Sequence, residues 1–75
     1  MKNEHFDTWL MIGLNILHYR KEQGMTQMQL AEKSDISRNY LQRIETAVSS
    51  CTVDTLIDIA AALKIPLAKL FEFRD

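Results

Sequence analysis

The sequence predicts an all-α fold, a single small domain of five short helices. Three observations predict it. Apolar residues recur at steps of three and four from Trp9 to Phe73, with no stretch of strict alternation, so the period is that of a helix rather than a strand. Two glycines and one proline in 75 residues are too few for a turn-rich β architecture. Thr26, Ser37 and Thr52 each stand just before an apolar run, where a helix N-cap belongs.

Length and composition bound the rest. A chain this short buries only about 60–65% of its unfolded surface, so its core is small and association with a second copy would help it. A hydrophobic share of 47% suits a packed globule and excludes disorder. One cysteine, Cys51, excludes an internal disulfide, leaves no thiolate cluster for zinc and fits a reducing cytoplasm. A lone cysteine ahead of a helix is usually inert packing, with a redox switch as the alternative.

Residues 1–5 read as a frayed start. The first helix runs from about Asp7 to Gln23 and ends at Gly24 as the residue after the cap. Its core stripe is Trp9, Ile12, Ile16 and Tyr19; a second stripe, Phe6, Leu10, Leu14 and Leu17, follows helical spacing on an adjacent face. Two accounts of that second stripe stay open: Phe71 or Phe73 folds back to enlarge the core, or the stripe is a dimer contact. The run Trp9 to Leu17 has the apolarity of a signal-peptide core. It is preceded by Glu4 and Asp7, contains Asn15, lacks a cleavage site and is too short to span a bilayer, so it reads as a core helix.

The second helix starts at Gln27, with Thr26 as N-cap and Gln29 completing a capping box. Leu30 and Ala31 face inward, and the small Ala31 lets a steeply crossing helix approach. Ser34-Asp35-Ile36 allows only a sharp corner, at which Asp35 tolerates a left-handed backbone. Ser37 caps the third helix, whose apolar contacts are Leu41 and Ile44 together with Ile36 at the corner. Its outer face reads Ser37, Arg38, Asn39, Tyr40, Gln42 and Arg43. Arginine matches guanine in a major groove, asparagine or glutamine matches adenine, and serine or tyrosine reaches phosphates. The fourth helix, capped by Thr52, carries the stripe Val53, Leu56, Ala60 and Leu63, broadened by Ile57 and Ile59. Ile65-Pro66 ends it, and Pro66 at a first helical position opens a short fifth helix.

These residues resemble the Cro and phage-repressor (XRE-type) helix-turn-helix family. The likeness rests on Ile16, Arg20, Gly24, Thr26-Gln27, Leu30-Ala31, Ile36-Ser37, Tyr40-Leu41 and Ile44-Glu45, then Thr55-Leu56, Ile59-Ala60, Ala62-Leu63 and Leu67 to Phe71. It implies a lambda-repressor-like domain spanning 1–75, with the helix-turn-helix unit at about 27–45 formed by helices 2 and 3. It further implies a transcriptional regulator, a repressor or controller protein, that binds double-stranded DNA in the major groove as a homodimer.

By the same resemblance, Arg20 and Glu45 form a partly buried ion pair that orients the third helix. The sequence agrees, since Arg20 lies on the core side one turn past Ile16, where an unpaired cation is costly. Thr26 and Gln27 would meet a phosphate at the helix N-terminus. Arg38 and Asn39 would read bases, Ser37 and Arg43 would reach bases or backbone, and Tyr40 would brace against the sugar-phosphate strand. In the family the terminal region builds the two-fold contact, which makes Leu67, Leu70, Phe71 and Phe73 a candidate dimer surface; core filling is the alternative for them and the two uses are compatible, while Leu10 and Leu14 join the candidate surface from the second stripe of the first helix. The loop Thr46 to Cys51 departs from the family, which favours Arg-Gly after the glutamate and proline near the place of Cys51; Ser49 and Ser50 remain as donors.

Charge is the compositional objection. Nine Lys+Arg against ten Asp+Glu give a net −1, and from Asn15 to Glu45 five cations face four anions, only +1. Weak non-specific affinity and reliance on a dimer follow. The alternative function is a protein-interaction module of this fold that has lost DNA binding. No catalytic or cofactor chemistry is expected: His5 and His18 stand apart from metal-ligand partners, no Ser-His-Asp or Cys-His set or glycine-rich phosphate loop is present, and the four methionines read as packing. Neither a membrane nor a small-molecule effector is an expected partner.

Overall fold

A computed structural model describes residues 5–73. Four α-helices, α1 (Phe6–Glu22), α2 (Gln27–Ser34), α3 (Arg38–Glu45) and α4 (Val53–Leu63), are followed by a 3-10 helix, Leu67–Phe71. No strand occurs among the described residues. Of the expected frayed start, residues 1–4 lie outside them.

Side-chain caps open three of the helices. Thr26 Oγ1 accepts the Gln29 amide at 3.1 Å while Gln29 Oε1 accepts the Thr26 amide at 2.8 Å, a complete capping box. Ser37 Oγ accepts the Tyr40 amide at 3.0 Å, and Thr52 Oγ1 accepts the Thr55 amide at 3.2 Å.

All four helices close alike. A residue in the left-handed region follows the last turn, and the next amide reaches back to a carbonyl five residues earlier: Met25 to Arg20, Ile36 to Ala31, Val48 to Arg43, Ile65 to Ala60. The left-handed residues are Gly24, Asp35, Ala47 and Lys64, with φ of 70°, 59°, 61° and 58°. Only the first is glycine. Ala47 and Lys64 adopt a conformation that L side chains disfavour, held there by the hydrogen bonds on either side.

The core is Ile12, Ile16, Leu30, Ala31, Leu41, Ile44, Leu56, Ile59, Ala60, Leu63 and Leu70. It collects the inner faces of all five elements, with α4 lying under α2. Trp9, Tyr19, Ile36 and Tyr40 are half-buried at its edge. Three expectations need correction. Val53 and Ile57 are 60% and 46% exposed, so the inner stripe of α4 is Leu56, Ile59, Ala60 and Leu63. Val53 is the first residue of its helix and projects past the core. The fifth element is a 3-10 turn, and Pro66 precedes it as the capping residue. Five residues are better served by tight i→i+3 bonding, and the Asn15 amide takes up the carbonyls of Leu70 and Glu72 at 3.0 and 3.1 Å. Finally, Leu70 is fully buried within its own chain, so for this residue core filling holds and it leaves the candidate dimer surface. Phe71 and Phe73 stay 43% and 44% exposed, so neither is drawn fully into the core.

Candidate nucleic-acid interface

Three contacts set the pose of α3. Its inner residues Leu41 and Ile44 are fully buried, which turns Arg38, Asn39, Gln42 and Arg43 to solvent. Behind it, α1 approaches so closely that a Cβ on Gly13 would lie 2.6 Å from the carbonyl oxygens of both Ile44 and Glu45. No side chain fits there, which explains a glycine in a helix interior despite its cost of about 0.5–1 kcal/mol. In the sequence, the signal for this contact is Gly13 itself, because an interior glycine is a sign of close backbone approach.

The third contact is electrostatic. Arg20 Nε donates to Glu45 Oε2 at 2.8 Å and Arg20 Nη2 donates to Glu45 Oε1 at 3.1 Å, a two-pronged pair with both side chains almost wholly buried. Arg20 Nη1 also donates to the Met25 carbonyl at 2.9 Å, anchoring the turn between α1 and α2. Gln27 completes the cluster, its Nε2 donating to Glu45 Oε1 at 3.0 Å. One carboxylate thus ties α1, the start of α2 and the end of α3 together. Gln27 commits one amide proton to this brace, a role that the sequence reading missed because its partner is 18 residues away.

The remaining candidates divide by exposure. Thr26, Ser37, Arg38, Asn39 and Arg43 are exposed, while Gln27 and Tyr40 are half-buried. The Thr26 and Ser37 oxygens accept capping bonds, and their hydroxyl protons can still be donated. Arg43 Nε donates to Ser49 Oγ at 2.9 Å, which steadies its guanidinium beside the loop that follows α3.

In that loop, the amides of Thr46, Ala47, Val48 and Ser49 all bond to carbonyls of α3. They are turned inward, so a phosphate approaching here would meet backbone amides only from Ser50 onward. Cys51 is half-buried against the core, and burial pushes its thiol up to about 11, which keeps it protonated and unreactive at neutral pH. Among the described residues no group of His, Cys, Asp and Glu is placed to hold a metal ion, and no helix is long and apolar enough to cross a membrane.

A family model described as helix-turn-helix matches residues 16–70. The chain is 39% identical over 61 residues to the immunity repressor protein of Bacillus phage phi105, covering 81% of this chain and 42% of the repressor. To the control protein C.SmaI of Serratia marcescens it is 38% identical over 60 residues, covering 80% and 71%. It spans about two fifths of the phage repressor and a like share, 41%, of the Bacillus subtilis regulator SlrR. Among solved structures, the restriction-modification controller protein C.AhdI of Aeromonas hydrophila superposes with a TM-score of 0.88 at 25% identity, over 92% of this chain and 100% of that one. SinR, the master regulator for biofilm formation, solved in complex with DNA, superposes with a TM-score of 0.77 at 32% identity, over 81% and 98%. Proteins of this group are transcriptional regulators rather than enzymes, and by both sequence and shape the chain belongs to the XRE-type helix-turn-helix family.

Proposed function

We propose that this chain binds a short two-fold-symmetric operator as a dimer and regulates transcription, working in the cytoplasm alongside the chromosome. The observation that carries the reading is α3 itself: an exposed row of Arg38, Asn39, Gln42 and Arg43 on a helix clamped from behind by Gly13 and the Arg20–Glu45–Gln27 cluster. Long donor side chains read base edges only if the helix bearing them is held still. Arg38 and Asn39 read bases, Ser37 and Arg43 contact bases or backbone, and Tyr40 lies along the sugar-phosphate strand. Thr26, the free amide proton of Gln27 and the first amides of α2 hold a phosphate. Both SinR and the controller proteins carry a comparable helix pair, which supports the reading.

Selection of bound sequences from random duplexes tests it. The expected product is a two-fold site with half-sites about 34 Å apart, one turn of DNA. Arg38→Ala should lose about 1–3 kcal/mol and relax the choice of base at one position per half-site. With Arg43 of each of two copies on a phosphate, affinity should fall with salt at a logarithmic slope of about −2. A chain with no salt-dependent affinity for duplex DNA would instead be the interaction module, and an unchanged base preference in the Arg38 variant would remove that residue from the reading set.

A further inference from the structure

The back of α1 carries a pattern that DNA reading does not use. Asp7, Leu10, Leu14, Leu17 and Lys21 follow one another at alternating steps of three and four, the spacing of a two-helix seam. At 3.6 residues per turn they form one strip along the side opposite Ile12 and Ile16, which face the core. Leu14, at its centre, is 45% exposed, and Leu10 and Leu17 are half-buried. A shallow groove lined by Leu14, Leu17, His18, Lys21 and Glu22 follows its C-terminal half. The neighbours of α1 lie elsewhere: α3 meets it at Gly13 and Arg20, and the 3-10 helix meets it at Asn15.

We propose that this strip is the docking surface for a second copy of the chain, α1 against α1 in antiparallel sense. The inference rests on the dimeric reading above and adds the face and the direction. The strip is complementary to itself. Its apolar middle is bounded by an acid at one end and a base at the other, and both Asp7 and Lys21 are exposed. Antiparallel pairing carries Lys21 of each copy to the Asp7 end of its partner. Parallel pairing sets Asp7 against Asp7 and Lys21 against Lys21, so charge selects the antiparallel arrangement.

The same geometry suits an operator. Gly13 and Arg20, which touch α3, lie roughly a quarter turn around α1 from the strip. In an antiparallel pair the two-fold axis lies in the contact plane and runs perpendicular to α1. A quarter turn from the strip is therefore the direction of that axis, and both copies of α3 emerge on one side of the pair, as a two-fold DNA site requires. The seam is about 21 Å long. That is short for a permanent interface, so association depends on concentration and is consolidated by DNA that carries two half-sites.

Sedimentation equilibrium on the full chain, with far-UV circular dichroism as the check on folding, tests the proposal. Leu14→Glu should weaken dimerisation at least tenfold without loss of helicity, and should leave binding to a single half-site unchanged. Asp7→Lys and Lys21→Glu should each weaken it several-fold, and the double reversal should restore it to within twofold. A dimer indifferent to Leu14→Glu but broken by Phe73→Glu would overturn this face and leave the dimeric reading standing. A double reversal that fails to restore association would overturn the antiparallel direction. A wild-type chain that is monomeric both alone and on two-half-site DNA would remove the dimeric reading itself.

Discussion

Removing Glu45 strands a buried cation. The carboxylate is 4% exposed, Arg20 is 7% exposed, and Glu45 receives hydrogen bonds at 2.8, 3.1 and 3.0 Å from Arg20 Nε, Arg20 Nη2 and Gln27 Nε2. Breaking one partner of such a pair costs about 3–5 kcal/mol, chiefly because the other charge stays buried without compensation. A domain of this length has roughly 4–11 kcal/mol of stability in all. Glu45→Leu and Arg20→Met should therefore each lower Tm by about 12–40 °C, at about 4–8 °C per kcal/mol. The double variant Arg20→Met/Glu45→Leu replaces both charges with apolar groups of similar bulk. It forfeits the acceptor of Gln27 and the donor to the Met25 carbonyl, about 1 kcal/mol each, so it should lie only about 2 kcal/mol below wild type. Urea unfolding at pH 7, followed by far-UV circular dichroism, measures all four proteins. Single losses under about 1 kcal/mol, or a double loss equal to their sum within about 0.5 kcal/mol, would show that the pair is not a coupled buried unit.

Gly13→Ala is expected to destabilise by about 1–3 kcal/mol and to weaken operator binding, although alanine is the better helix former, because the added carbon meets backbone oxygens that cannot move aside; thermal unfolding and gel-shift titration of one preparation check both effects. Lys64→Gly should stabilise by about 0.5–1 kcal/mol, since relief of a left-handed side chain exceeds the entropy that glycine adds to the unfolded chain, and chemical denaturation reads this directly. The Cys51 thiol is raised from 9.0 to about 11 by burial, so its stabilising share is complete below pH 9 and is lost as pH climbs toward 11. Tm measured across that window should fall more steeply for wild type than for Cys51→Ala, and equal slopes would contradict the burial of the thiol.

What could be read from the letters was local. A hydroxyl ahead of an apolar run is a cap whatever lies elsewhere in the chain, so Thr26, Ser37 and Thr52 mark helix starts that the structure also shows. Asp35 at a three-residue corner is equally local. The residues that escaped notice act across distance. Asn15 resembles a polar interruption of an apolar helix until the terminal turn is laid over it and needs donors for two carbonyls. Gln27 reads as an outward phosphate ligand until the end of α3 arrives beside it. Ala47 gives no sign of a left-handed backbone by its own type, because alanine is the default residue of a helix interior; the family's preference for glycine at this place is the hint, and the capping bonds around Ala47 show that the chain turns there. Leu70 matches Phe71 and Phe73 in apolarity, and packing alone decides which of the three is covered.

The near-zero charge balance weighs less against DNA binding once the charges are placed. Attraction to a phosphate backbone depends on the field over the approaching surface, and the whole-chain sum averages over faces that DNA never meets. The one carboxylate of α3, Glu45, is buried and matched by Arg20, so the helix presents Arg38 and Arg43 with no exposed acid of its own. Elsewhere, Asp35 and Asp58 share with Lys33 a depression at the junction of α2 and α4. Two cations per copy remain a modest electrostatic supply, which places the burden of affinity on base contacts and on having two copies. The same reasoning gives the back of α1 its importance: a regulator with weak attraction for any DNA gains most from joining two reading helices, because the second then binds at the high effective concentration set by the first.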